Sequence, residues 1–217
     1  MRGMLNNGQP WRPRLVMMVK APKAGRAKTR LARDIGKARA AGFYRHATAA
    51  LVNRLGADRR WEMVLAVDPV SALYQDWTSV WPAHIARVAQ GGGDLGDRMG
   101  RLFQDMPPGP MVIIGSDSPH VSTDLITEAF ARLRGNDVVV GPAPDGGYWL
   151  IGLRRARHAP QLFENVRWST EYTLADTLAT LPESFSVAQL PVLADIDEGE
   201  DLAANPDVLI RSQVARG

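Results

Sequence analysis

The chain has 217 residues, 45% of them apolar, and no cysteine. That length suits one sizeable domain, and the lack of cysteine excludes disulfides, thiolate metal sites and a cysteine nucleophile. Net charge is only +3, but residues 1–33 hold nine Lys/Arg and no acid, leaving the remainder at −6. This distribution points to a phosphate-binding segment on a mildly acidic body, not to the continuous basic face that nucleic acid requires.

Residues 1–13 are polar and turn-rich and read as a flexible lead-in to one domain spanning 14–211. Arg14–Lys20 carries the apolar run Leu15–Val19 and reads as a strand buried on both faces of a parallel sheet. The same run is too short for a signal-peptide core or a membrane span, so a soluble cytoplasmic protein is expected. Lys20, Lys23, Arg26, Lys28 and Arg30 then crowd a Pro- and Gly-containing loop before a helix starting near Thr29. A basic strand-to-helix loop can offer ammonium, guanidinium and backbone N–H groups to phosphate, or it can simply be a solvated surface loop. It has neither P-loop nor G-x-G-x-x-G spacing.

Residues 37–58 place Phe43, Tyr44, Ala47, Leu51 and Leu55 at helical spacing. Glu62–Val67 reads as a second strand, residues 70–82 as a short helix and loop with Tyr74, Trp77 and Trp81 as packing groups, and His84–Ala89 as a third strand. Gln90–Met99 holds four glycines and runs into a helical pattern at Met99, Leu102, Phe103 and Met106. Either it is a linker, or its backbone approaches a ligand closely. Met111–Ile114 is a short apolar strand ending in Gly115-Ser116-Asp117-Ser118-Pro119. A carboxylate at that position either caps a turn or sits where open α/β sheets bind ligands.

A helix capped by Ser122 or Thr123 follows, then strands at Asp137–Val140 and Tyr148–Leu153. Their connection, Gly141-Pro142-Ala143-Pro144-Asp145-Gly146-Gly147, suggests an antiparallel pair. Residues 154–167 read as a basic surface loop with a short helix, and Trp168-Ser169-Thr170 as the opening of a helix reaching Leu181. Phe185–Leu190 and Val192–Ile196 resemble two further strands. Asp195 and Asp197 flank Ile196, so an extended backbone would point both carboxylates to one side, able to share a hard cation; an acid-rich helix start is the other reading. A last helix is expected beyond Pro206. No His/Cys cluster suggests zinc, and Ser116 and Ser118 lack a G-x-S-x-G elbow.

The segments VKAPKAGRAKTRLA, QGGGDLGDRM, GSDSPHV, GPAPDGGYWLIGL, WST and DIDEGEDL occur in this order over residues 14–205. In this the chain resembles a bacterial family of the glycosyltransferase-A, or nucleotide-diphospho-sugar transferase, fold, some of whose members are linked to arsenosugar biosynthesis. It is also similar to the 2-phospholactate and phosphoenolpyruvate guanylyltransferases and, more distantly, to molybdenum-cofactor guanylyltransferases. The resemblance implies an α/β chain: a three-layer α/β/α, Rossmann-like glycosyltransferase-A fold with a mixed, mainly parallel central sheet. It implies phosphate binding by Arg26, Lys28 and Lys23, with Gly92, Gly93, Asp97 and Arg98 bordering the nucleotide. Asp117, Asp195 and Asp197 would hold Mg²⁺ or Mn²⁺. Asp145, Gly146, Gly147, Trp168 and Ser169 would form the acceptor side.

Three functions remain open at this level. One is glycosyl transfer from a nucleotide-sugar to a small acceptor, with Asp145 as base and Lys28 and Asp117 at the reacting phosphates. The second is nucleotidyl transfer to an ionised phosphate or carboxylate acceptor, which needs no base. The third is nucleotide binding without turnover. Asp117 is followed by Ser118-Pro119 rather than completing an Asp-x-Asp, which is closer to the nucleotidyltransferase form. Tyr148-Trp149 after Asp-Gly-Gly departs from the guanylyltransferases; these aromatics can stack on a sugar or pack in the core, and at least one is expected in the core. Sequence leaves the oligomeric state undetermined.

Overall fold

The computed structural model describes residues 12–23, 28–155, 159–196 and 201. Arg26, Asp197, most of the lead-in and the helix expected beyond Pro206 lie outside the described residues. Seven strands form one sheet: β1 (Arg14–Lys20), β2 (Glu62–Asp68), β3 (Ala86–Ala89), β4 (Met111–Ile114), β5 (Val138–Pro142), β6 (Tyr148–Leu153) and β7 (Val187–Gln189). Their spatial order is β3-β2-β1-β4-β6-β5-β7. All neighbours pair in parallel except β6, which is antiparallel to both β4 and β5. This is the mixed, mainly parallel sheet of a glycosyltransferase-A-like α/β fold.

The alternation along β1 sets the layers. Leu15, Met17 and Val19 face a core shared with Leu51 and Leu55 of helix α2 (Lys37–Gly56) and Ile126 and Ala129 of α4 (Thr123–Arg132). Val16 faces the opposite core, built from Met99, Leu102 and Phe103 of α3 (Leu95–Asp105), with Leu174 and Leu178 of α5 (Thr173–Ala179) packed on it. Burying both faces is what lets a strand read as an unbroken apolar run, and each large side chain buried here contributes about 1.5–3 kcal/mol.

Several boundaries differ from the sequence expectation. The first helix begins at Leu31 and ends at Ile35 as α1, because Gly36 takes φ +86° and starts α2 anew. His84 and Asp137 precede their strands; Asp137 instead accepts hydrogen bonds from Ser186. Among the described residues of 154–167 there is no helix, and α5 starts at Thr173 instead of Trp168, after a turn in which Ser169 has φ +60°. Residues 192–196 form no strand. After Pro191 the chain leaves the ladder and crosses the end of the sheet, tied by Leu193 N–H to Pro142 O at 3.1 Å and by Ile196 N–H to Asp117 O at 3.1 Å.

The helix-cap reading holds at Ser122, whose Oγ accepts the Leu125 N–H at 3.2 Å. Trp149 is a core residue: it is buried, and its indole N–H donates to Pro191 O at 3.1 Å. No helix among the described residues is long and apolar enough to cross a membrane.

Candidate active site

The strand order locates the site. From β1 the chain steps outward through β2 and β3, then returns to the other side of β1 as β4. Connections therefore diverge above the carboxyl ends of β1 and β4, leaving the crevice in which open α/β sheets hold ligands. β6 runs the opposite way, so its first residues, Tyr148 and Trp149, and the preceding Asp145 loop arrive at the same end. A cleft of about 610 Å³ opens there.

Its floor and basic wall come from β1, the loop after it and β4. Lys28 Nζ lies 2.9 Å from Asp117 Oδ1; the lysine side chain is 4% exposed and the aspartate side chain 49% exposed. Thr29 and Arg30 continue this wall. Asp195 lines the cleft too, and the bond from Ile196 N–H to Asp117 O is what carries it there, with Ile196 anchored in a small core against Leu31, Ala40 and Phe43.

A second wall is the amino-terminal end of α3. Asp94 accepts the Asp97 N–H at 2.9 Å and Asp97 accepts the Asp94 N–H at 3.0 Å, a reciprocal cap that fixes the helix start. Arg98, one turn in, is held from three sides: Nε to Gly93 O at 3.2 Å, Nη1 to Gln90 Oε1 at 3.2 Å, and Nη1 to Asp68 Oδ2 at 3.5 Å. Gly96 gives this helix end its close seat, since a Cβ there would lie 2.7 Å from both Phe163 Cβ and Trp168 Cζ2. The third wall is Asp145, Gly147, Tyr148, Trp168, Ser169 and Thr173. Asp145 Oδ1 accepts the Gly147 N–H at 2.9 Å, which fixes the carboxylate in its turn.

The structure therefore brings Lys28, Gly93, Arg98, Asp117, Asp145, Gly147, Trp168, Ser169 and Asp195 to one cleft. Four expected contributors stand outside its lining. Lys23 Nζ lies over the Trp77 ring, 5.9 Å from its centroid. The Gly92 carbonyl accepts from Arg101 at 3.2 Å, and Asp97 is spent on the helix cap. Gly146, at φ +82°, packs on the Glu171 backbone and accepts the Leu174 N–H at 2.9 Å.

Three cleft residues carried no recognised role in the sequence. Gln90 is 4% exposed; its amide donates to Val19 O at 3.1 Å and Ala66 O at 2.9 Å, leaving its oxygen to aim Arg98. The Tyr44 hydroxyl receives the Lys20 N–H at 2.8 Å, donates to Lys20 O at 3.1 Å and sits 3.4 Å from Ser116 Oγ, the third such residue. Burial raises the Tyr44 pKa, the bond to Ser116 opposes this and the Asp117 charge adds to it, so the hydroxyl stays protonated. Burial also pushes the Tyr148 hydroxyl up. An apolar stripe on α2 hides Tyr44 among packing residues, and only its hydroxyl sets it apart.

Asp117 and Asp195 both line the cleft and are hard-oxygen donors of the type that would suit Mg²⁺ or Mn²⁺, which bind through one or two carboxylates and keep the remaining positions for water and substrate phosphate. Among the described residues no group of three acids or histidines comes together; the third expected ligand, Asp197, lies outside them.

The Trp168–Thr173 wall is braced from outside. Arg167 meets Asp176 through Nε–Oδ2 and Nη2–Oδ1 contacts of 2.8 Å, and its guanidinium lies over the Tyr172 ring at 4.0 Å. The hydrogen bonds and charge of Arg167 lower the Asp176 pKa from 3.8 to about 2. A carboxyl group depressed on folding stabilises the fold above its unfolded pKa and loses that effect as pH falls through the folded value. The melting temperature of Asp176→Asn is therefore expected to lie below that of the unsubstituted protein near neutrality, with the gap closing between about pH 4 and about pH 2. A gap constant over that range would remove the charge from the account.

Comparison with known proteins bears on family and fold. The family model described as "Uncharacterized protein conserved in bacteria (DUF2064)" matches residues 51–170, more than half the chain. The chain belongs to the DUF2064 family. No curated protein matches it. Among solved structures, a "putative nucleotide-diphospho-sugar transferase" from Desulfovibrio desulfuricans G20 superposes with a TM-score of 0.77 at 26% identity, covering 93% of this chain and 98% of that one. The 4-diphosphocytidyl-2C-methyl-D-erythritol synthase of Anaerococcus prevotii gives 0.54 at 9% identity over 94% and 96% of the two chains. A CMP:2-keto-3-deoxy-manno-octonic acid synthetase, complexed with CTP, gives 0.50 at 11% over 95% and 99%. At those two identities the likeness is one of fold. These three structural neighbours are a transferase, a synthase and a synthetase by name, and the fold they share with this chain is the one built around the β1/β4 crevice.

Proposed function

We propose that this DUF2064 protein is a metal-dependent, nucleotide-using transferase that moves a glycosyl group from a nucleotide-sugar to a small acceptor. The observation that carries the reading is the position of Asp117 at the β1/β4 crevice, ion-paired to Lys28 in a cleft that Asp195 also lines. The structural likeness to a protein described as a nucleotide-diphospho-sugar transferase supports the donor class.

Lys28 and Arg98 hold the diphosphate and stabilise its charge as it leaves. Bound Mg²⁺ or Mn²⁺, held by Asp117 and Asp195, would neutralise phosphate charge as a Lewis acid. The acceptor enters along Asp145, Trp168 and Ser169. Its hydroxyl oxygen forms the new bond to the sugar carbon, the bond from that carbon to the diphosphate breaks, and the Asp145 carboxylate takes the hydroxyl proton. Tyr148 and Trp168, packed into the wall, limit water on that side. Residues 14–211 act as one unit, and the cysteine-free composition suits the cytoplasm.

Nucleotidyl transfer is the second reading, favoured by Ser118-Pro119 after Asp117. Here an ionised acceptor attacks the α-phosphorus, pyrophosphate leaves, and Asp145 has no proton to take. A thermal-shift panel with Mg²⁺ or Mn²⁺ separates the two. Selective stabilisation of about 5 °C or more by a nucleotide-sugar, the size expected at a hundredfold excess over Kd, supports glycosyl transfer. Stabilisation by nucleoside triphosphates alone replaces it with nucleotidyl transfer. Equal response to metal-free nucleotides, or none, contradicts both.

A further inference from the structure

One of the two carboxylate oxygens of Asp117 already has a cation on it. Lys28 Nζ sits 2.9 Å from Oδ1, and the lysine side chain is almost fully buried while the aspartate is half exposed to the cleft. With the ammonium in place, the negative charge that Asp117 offers a divalent ion is offset. Lys28 is also in the left-handed region, at φ +52°, a conformation that costs a residue with a side chain and persists where the surroundings impose it. Thr29 and Arg30, next in the chain, line the same cleft, so a phosphate bound there lies within reach of the lysine.

We propose that Lys28 competes with the metal for Asp117, so that the protein takes up its divalent ion as a metal–diphosphate complex and not as the free ion. Without a diphosphate the ammonium neutralises Asp117 and keeps the affinity for a lone divalent ion low. Diphosphate oxygens accept the ammonium and release Asp117 to the metal. Because each ligand removes the same competitor, metal and diphosphate bind cooperatively, and by linkage the coupling is equal in both directions. This rests on the reading of Asp117 as a metal ligand and adds an order of assembly to it.

The test measures Mn²⁺ alone, by the electron paramagnetic resonance signal of the free ion. It compares the unsubstituted protein, Lys28→Met, Lys28→Gln, Asp117→Asn and Lys28→Met/Asp117→Asn, each checked for folding by its melting curve. Lys28→Met and Lys28→Gln are expected to bind Mn²⁺ at least tenfold more tightly than the unsubstituted protein, and the double substitution to lose that gain. If the single substitutions bind no more tightly while Asp117→Asn still weakens Mn²⁺ binding, competition is overturned and the metal-ligand role of Asp117 stands. If the gain survives in the double substitution, the ion does not use Asp117 and both ideas fail.

Discussion

Asp117→Asn is expected to lower turnover at least a thousandfold, on the order of 4 kcal/mol of transition-state stabilisation, and to abolish metal-dependent nucleotide binding. The amide keeps the shape of the side chain and loses the charge. It can still accept a hydrogen bond from Lys28, but it is a poor ligand for a hard cation. The stability cost is smaller but not negligible: Asp117 is half exposed, yet its partner Lys28 is nearly buried, so removing the counter-charge from that ammonium costs about 1–3 kcal/mol. Loss of function in a protein that still melts cooperatively, a few degrees lower, is therefore the expected signature. A variant that keeps metal-dependent nucleotide binding and turnover would take Asp117 out of the site.

The largest stability effect is expected at Gly146. Its φ is +82°, and a Cβ would fall on the backbone O, Cα and C of Glu171. No rotamer change relieves a clash with backbone, so Gly146→Ala must distort the β5–β6 connection or the start of α5, which are joined by the Leu174 N–H to Gly146 O bond. The two costs together come to about 3 kcal/mol or more, or a fall of roughly 6–12 °C in melting temperature for a chain of this size. Asp145 precedes Gly146, so activity should fall with it. Gly135 is the control: nothing lies within 4 Å of a Cβ there and its φ is not in the left-handed range, so Gly135→Ala should be close to neutral. Equal melting temperatures for the two variants would contradict the tight seat of the Asp145 loop.

Much of this arrangement is written locally. Apolar runs and turn residues locate β1, β2, β4, β5 and β6, and a serine before an apolar helical pattern locates α4, because each signal is contained in a few neighbouring residues. Asp117 is legible for the same reason, as a carboxylate just past a buried strand. What sequence could not supply is long-range. Gln90 aims Arg98 only because β1 and β2 carry Val19 O and Ala66 O to its amide. Tyr44 reaches Lys20 and Ser116 across 24 and 72 positions. The 192–196 segment has a strand's composition but crosses the sheet end, because its partners are single carbonyls on different elements and not one neighbouring strand. Lys23 and Asp97 stand out in the sequence by charge alone; in the structure Lys23 lies over a tryptophan ring and Asp97 caps a helix start, contacts that charge does not foretell.

The central claim is that Asp117 and Asp195 hold a metal–nucleotide complex in the β1/β4 crevice. A crystal of the full chain grown with Mn²⁺ and a nucleoside diphosphate, read by the anomalous signal of manganese, tests it directly. A single strong peak is expected about 2.0–2.3 Å from a carboxylate oxygen of Asp117, the range for a hard cation on oxygen, with diphosphate oxygens completing its shell and Lys28 turned onto the phosphate. A manganese peak elsewhere, or a diphosphate bound while Lys28 remains on Asp117, would contradict it.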